Sequence, residues 1–258
     1  MTLDYVTVPI GEALRVYSYR ASFAKGMAKL RQEGLDLITA RELAEVRTLS
    51  NGLLCHEVAI VGESYTYLPN GDIMIAAREL SPLIKRADSA MREHYEDEEF
   101  YLDKRAIRRL MDRAETGLEK AISTGVLYLP RKEVKREFPV AAICEETVPL
   151  FLLRDYAMKY QEFLAGKKVE SVQHSVLGAH YAKRQKKPFT RPLKLGSVFG
   201  WSTSFDGDSD LGSHVCTTMA VRRVNAPEPD IRKALEEGDE FRYNGLLYVP
   251  VRDEPRTS

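Results

Sequence analysis

"GLDLITARELAEVR", residues 34–47, carries the clearest local signal in the chain. Leu35 to Ile38 reads as a brief strand. Thr39 and Glu42 then make a capping box, in which the hydroxyl accepts one amide of the first helical turn and the carboxylate accepts another. Ile38 and Leu43 stand at the staple positions on either side. The spacing predicts a helix from Ala40 to about Leu49, ending at Gly52. Working upstream, Val16, Tyr19, Phe23, Met27 and Leu30 recur at three- and four-residue steps and predict an earlier helix that includes Arg20 and stops at Gly34. YVTVPI, residues 5–10, opens the chain as a short strand.

Working downstream, residues 53–79 alternate as strands do, and Pro69-Asn70-Gly71 supplies a hairpin turn. Ser81-Pro82 reads as a helix start. The acidic EDEEF near residue 98 reads as a solvated face. Ile107, Leu110, Met111, Ala114, Leu118 and Ala121 mark one amphipathic helix. GVLYLP and FPVAAIC are predicted strands around a basic turn. Thr147 begins a helix with Leu153, Ala157, Tyr160 and Leu164 on its inner stripe and Gly166 at its end. Residues 167–194 are polar and irregular, and residues 183–194 read as a solvated basic loop. Two strands, in KLGSVFGWSTSF and HVCTTMAVRRV, flank an acidic loop. A short helix in APEPDIRKALEEG and a hairpin turning at Asn244-Gly245 close the chain. Blocks of helices and antiparallel hairpins, without strict alternation, make this an α+β chain.

With 258 residues, 44% of them hydrophobic, the chain can bury an ordinary core. Its 38 basic and 38 acidic residues cancel, so no overall attraction to nucleic acid or to an anionic membrane is implied. The 29% charged content fits a thermophilic source. Cys55, Cys144 and Cys216 are far apart and form neither a disulfide framework nor a zinc knuckle. The N-terminus lacks a basic region followed by an apolar run, and no stretch reaches the ~18 apolar residues of a membrane span. A soluble protein without a signal peptide is expected, cytoplasmic or carried in a virion.

The stretch GWSTSFDGDSDLGSHV, residues 200–215, raises three readings. Asp206, Asp208 and Asp210 fill positions one, three and five of an EF-hand-like loop, the spacing a calcium ion needs. Leu211 then stands where glycine is required and Thr217 where glutamate is, so a solvated turn-rich loop outweighs that site. Ser202-Thr203-Ser204 resembles the serine-threonine-serine element of ADP-ribosyltransferases, which would use NAD with Arg20 and an acid among Glu236, Glu237, Asp239 and Glu240. A basic run from Lys183 to Lys194 offers phosphate contacts, but Phe189 is its one aromatic and makes no stacking platform.

The third reading uses more of the chain. A helix, then GLDLITARELAEVR, and much later GWSTS before a strand ending AVRRV, resembles C-type-lectin-like domains of the formylglycine-generating-enzyme and diversity-generating-retroelement variable-protein kind. Leu35, Leu37, Thr39, Glu42, Leu43, Trp201, Ser202, Thr203, Arg222 and Arg223 carry the match. It covers residues 10–52 and 195–224; relatives usually have proline where this chain has Ile38, and many stop near AVRRV.

The resemblance implies a binding surface and no catalysis. The oxidase branch of that group uses a cysteine pair near the end of the domain, where Cys216 stands alone. Its iron-dependent branch uses converging histidines; His174 and His180 would diverge by about 240° on a helix, and His56 and His94 lie in unrelated segments. The expected architecture is an antiparallel sheet with two N-terminal helices. Residues 1–80 and 167–258 would form the lectin-like domain and residues 81–166 a mainly helical insertion. A ligand-binding or receptor-binding site for protein or glycan is expected at Trp201, Ser202, Thr203, Ser204, Asp206, Asp208, Asp210, Ser213 and His214. Trp201 would be the aromatic anchor and its polar neighbours the adaptable contacts. No cofactor is expected, with calcium at the aspartates left open.

Overall fold

In a computed structural model of the chain, the described residues are 4–8, 14–20, 23–50, 54–85, 99–198, 202–208, 217–223, 241–243 and 246–248. In chain order the elements begin with strands β1 (Asp4–Val8) and β2 (Leu14–Arg20), then helices α1 (Phe23–Gln32) and α2 (Ala40–Leu49). Strands β3 (Ala59–Tyr67) and β4 (Ile73–Ala76) lead to the single turn α3 (Pro82–Lys85). The middle holds β5 (Phe100–Tyr101), α4 (Lys104–Met111), β6 (Ala114–Glu115), α5 (Leu118–Thr124), β7 (Val126–Leu129), β8 (Glu137–Pro139), α6 (Thr147–Leu153) and α7 (Ala157–Gly166). Then come β9 (Ser171–Ser175), α8 (Ala179–Arg184), β10 (Phe189–Leu195), β11 (Ser202–Asp206), β12 (Thr217–Arg223), β13 (Phe241–Tyr243) and β14 (Leu246–Tyr248).

Twelve strands form one sheet along the path β1-β2-β12-β3-β10-β11-β9-β8, with β4 beside β3, β7 beside β4, β6 beside β7 and β5 beside β10. The middle of the chain therefore supplies β5 to β8 to this sheet, alongside four helices. Strands β13 and β14 pair separately, Tyr243 opposite Leu246, as the Asn244-Gly245 turn predicts.

Residues 34–47 hold the centre together. Strands β12 and β3 pair in parallel only at Thr217–Ala59 and Thr218–Ile60. Beyond that point Leu37 and Ile38 enter between them: Ile38 N–H donates to Met219 O at 2.8 Å, and Gly62 N–H donates to Ile38 O at 2.7 Å. The expected strand at Leu35–Ile38 is thus one bridge, Leu37 to Ala220, that plugs a fork in the sheet. Helix α2 starts immediately afterwards, capped as predicted: Glu42 N–H donates to Thr39 Oγ1 at 3.1 Å and Thr39 N–H to Glu42 Oε2 at 2.8 Å.

Two apolar layers sandwich the sheet. Alternate residues Val61, Tyr65 and Tyr67 of β3, with Ile73 and Ile75 of β4, face the layer built from α2, α6 and α7. Ile60, Met74 and Ala76 face the layer with Phe23, Met27 and Leu30 of α1 and Ala106 and Leu110 of α4. Helix α1 approaches β12 closely at Gly26, where a Cβ would lie 1.9 Å from Thr218 Oγ1.

Four expectations are corrected. The residues from Leu14 to Arg20 form β2, not the start of a helix, because they pair residue for residue with β12; Arg20 is therefore on a strand. The single helix expected over Ile107–Ala121 is broken into α4 and α5 by β6, which pairs with β7. FPVAAIC is a strand only to Pro139 and continues as a 3-10 turn at Val140–Ala142. The helix from Thr147 breaks at Arg154, whose φ of 54° leaves the right-handed region. The helix expected in residues 226–238 lies outside the described residues. No described helix is long and apolar enough to cross a membrane.

Candidate functional site

Strand β11 alternates. Ser202, Ser204 and Asp206 are half-buried, while Thr203 and Phe205 are buried at 3% and 1% exposure on the side of the α2 layer. Its parallel partner β9 sets Ser171 beside Ser202, Gln173 beside Ser204 and Ser175 beside Asp206. Strand β8 adds Glu137 opposite Gln173. Val172, His174 and Phe138 fill the alternate, buried positions. On the same side of the sheet where α1 and α4 cover β3 and β4, the β11-β9-β8 edge presents hydroxyls, an amide and carboxylates instead. At one end of this polar face, Arg136, Glu137, Gln173, Ser175 and Asp208 line a cavity of about 220 Å³.

The start of the acidic loop is clamped from below. Tyr67 Oη donates to Gly207 O at 2.8 Å, and Gly207 N–H donates to Ser175 O at 2.8 Å. Gly207 has no room for a side chain: a Cβ would meet the Tyr65 ring at 2.6 Å. Arg191 donates to Asp208 O and is itself held by Glu99, Nε to Oε2 at 3.0 Å and Nη2 to Oε1. Tyr181 Oη donates to the same carboxylate at 2.7 Å, and its ring lies 5.6 Å from the guanidinium carbon. Tyr67 and Phe189 stack at 5.2 Å between these groups. The turn is thus fixed through contacts to its backbone.

Burial, then the hydrogen bond and negative charge of Asp208, pushes the Asp206 carboxyl up to about 6, while the Lys194 charge opposes the shift. Asp208 N–H also donates to Asp206 Oδ1 at 3.0 Å, tightening the turn. Below the sheet, burial holds His174 down at about 4. Its Nδ1 therefore carries the proton, given to Lys135 O at 3.1 Å, and Nε2 accepts from Tyr65 Oη at 2.9 Å. It is a neutral core histidine.

These two shifts act on stability in opposite senses. Asp206 binds its proton more tightly folded than unfolded, so its contribution is largest below about 4 and is lost as pH rises through about 6. His174 binds its proton less tightly folded, so its contribution is present above about 6.5 and lost as pH falls through about 4. Asp206→Asn keeps the acceptor for Asp208 N–H and removes only the first effect. Relative to wild type, the variant is expected to gain about 1–2 kcal/mol between pH 4 and pH 7, discounted for the carboxyl's partial exposure. Urea unfolding across that range checks it; a constant difference contradicts the assignment.

Of the nine residues expected at the site, Ser202, Ser204, Asp206 and Asp208 meet on this face, and Thr203 points into the core. Trp201, Asp210, Ser213 and His214 lie outside the described residues. Strands β11 and β12 do not form a hairpin around the acidic loop, since β3 and β10 lie between them. Gln173, Ser171, Ser175, Glu137 and Arg136 were missed. The signal was present as alternation in SVQHS, but a mixed polar strand reads as a loop when its parallel partner lies 31 residues away.

The competing constellations can be placed too. Arg20 stands at the end of β2, with β12, β3 and β10 between it and Ser202-Thr203-Ser204, so the two are not neighbours in the sheet. Glu236, Glu237, Asp239 and Glu240 are outside the described residues. The basic run is not a solvated loop: it is the end of α8, a turn and central strand β10, with Arg191 and Lys194 exposed by only 5% and 3%. Its phosphate-binding reading thereby loses two of six cations. Among the described residues no three His, Cys, Asp or Glu side chains gather as a metal site.

No family model matches the chain, and no curated protein matches it by sequence. A solved nanoarchaeal structure, described as accommodating massive sequence variation by the C-type lectin fold, superposes with a TM-score of 0.60. The superposition covers 82% of this chain and 98% of that one at 12% sequence identity. The chain therefore has a C-type lectin fold, as the resemblance over residues 10–52 and 195–224 implied.

Proposed function

We propose that the chain is a non-catalytic binding module that holds a protein or glycan ligand on the polar face of β11, β9 and β8. Asp206 and Asp208, the described part of the acidic stretch, stand at one end of that face. One observation carries the reading: Ser202, Ser204, Gln173 and Ser175 stand half-buried or exposed on a rigid sheet whose opposite side is core. Side chains with short reach and both donors and acceptors, displayed on a stiff scaffold, recognise polar surfaces at little entropic cost. A calcium ion at Asp206, Asp208 and Asp210 is compatible with this reading but is not required by it.

An immobilised glycan array tests the proposal. Wild-type protein is expected to be retained by a subset of glycans, and a Ser202→Ala, Ser204→Ala, Gln173→Ala variant is expected to lose that retention. The three side chains are half-buried or exposed and none is in the core, so unfolding free energy should stay within about 1 kcal/mol of wild type. Equal retention by the variant would remove the ligand from this face. Slow NAD hydrolysis by the wild-type protein would favour the ADP-ribosyltransferase reading instead.

A further inference from the structure

A second cavity, of about 420 Å³, opens between α2, β3 and the end of α6. Its charged lining is Arg41, Arg78 and Arg154 against Glu42, Glu63, Glu79 and Asp155, three cations against four anions. The cations are matched. Arg41 holds Asp155 through Nε at 2.8 Å and Nη2 at 3.2 Å, and reaches Glu45 at 3.4 Å. Arg78 meets Glu42 at 3.3 Å and Glu79 at 3.4 Å. Arg154 adds its charge beside Asp155.

Glu63 is different. It is 6% exposed, and its Oε2 accepts Ala40 N–H, the first amide of α2, at 3.0 Å. Among the described residues no cation forms an ion pair with it. Arg78, whose charge reaches it, is ion-paired with Glu42 and Glu79 instead; a buried carboxylate without an ion-pair partner of its own is costly, and a cleft beside it gives a cation a way to reach it.

We propose that this cavity binds a primary alkylammonium group, free or at the tip of a lysine side chain, with Glu63 as its counterion. One positive charge cancels the one excess negative charge of the lining. Ala77 and Leu152, also in the wall, suit an alkyl stem. A calcium ion does not fit, because it needs six to eight oxygens and three guanidinium groups share the space. The site is on the α2 side of β3, whereas Ser204 and Asp206 are on the other side of the sheet, so the two proposals fail independently.

The pH dependence follows from the same surroundings. Burial pushes the Glu63 carboxyl up to about 7; the Ala40 amide, its own amide and Arg78 pull it down, and Glu42 pushes it up. Arg41, Glu79, Arg154 and Asp155 complete the groups facing it. Ammonium binding requires the ionised form, so affinity should rise about tenfold from pH 6 to pH 8.

The test is a titration of ¹⁵N-labelled protein with n-butylammonium chloride, following the amides of Ala40 and Glu63. Saturable shifts are expected at pH 8, about tenfold weaker at pH 6, and no response to n-butanol. Glu63→Gln keeps an oxygen for Ala40 N–H, so its thermal midpoint should be maintained while the saturable shifts vanish. A matching response to Nα-acetyl-lysine amide assigns the site to lysine side chains as well; a response to butylammonium alone assigns it to free amines. No saturable shift at pH 8, equal affinity at pH 6 and pH 8, or equal affinity in Glu63→Gln overturns the proposal. The pH series on the wild-type protein decides the matter even where the variant does not fold.

Discussion

Arg47→Met is expected to lower the free energy of unfolding by about 3–5 kcal/mol. Arg47 lies on α2 and is completely buried. Its guanidinium donates to Glu57 O at 2.7 Å, Leu54 O at 3.3 Å, Leu195 O at 3.5 Å and Tyr160 Oη at 3.2 Å. One side chain thus ties the segment before β3, the end of β10 and helix α7 to the last turn of α2. Methionine fills much of the volume but leaves backbone carbonyls buried without donors, each costing about 1–3 kcal/mol. The charge itself is no asset in a dry interior; the carbonyls it satisfies are what the fold loses. Urea unfolding measures the change, and a loss under about 1 kcal/mol would show that those carbonyls find other donors.

The second large effect is at Glu99. Glu99→Ala strands the Arg191 guanidinium, 6% exposed in its side chain, without its carboxylate. Breaking one partner of such a buried pair costs about 3–5 kcal/mol, whereas replacing both by apolar groups costs far less. The Glu99→Leu, Arg191→Met double variant is therefore expected to be more stable than Glu99→Ala. Both should loosen the acidic loop, because Arg191 donates to Asp208 O. Hydrogen exchange at Gly207 and Asp208 should accelerate in both. A double variant less stable than the single one contradicts this ranking.

The sequence showed some of this plainly and hid the rest for identifiable reasons. The capping box at Thr39 and Glu42 is a contact between neighbours in the chain, so four consecutive residues suffice to read it. The hairpin of β3 and β4 is equally local: Tyr67 faces Ile73 across the Pro69-Asn70-Gly71 turn. Strand β2 was misread because Val16 and Tyr19 extend upstream, at three- and four-residue steps, the helical stripe that Phe23, Met27 and Leu30 carry in α1, and only the pairing with β12, some 200 residues on, shows that residues 14–20 are a strand. The basic run failed similarly. Arg191 and Lys194 look solvated until Glu99, just before β5, and Asp206 of β11 arrive beside them. At the candidate site, Ser202, Ser204 and Asp206 were singled out from their own composition. Gln173 and Ser175 became visible only through the parallel register of β9 and β11.

The central claim is that alternate residues of β11 look out onto an open face. A cysteine scan from Ser202 to Asp206, in a Cys55→Ala, Cys144→Ala, Cys216→Ala background, measures this directly. Thiol labelling is expected to be fast at positions 202, 204 and 206 and slow at 203 and 205. Uniformly slow labelling would mean that another part of the chain covers the face, and the recognition surface described above would not exist.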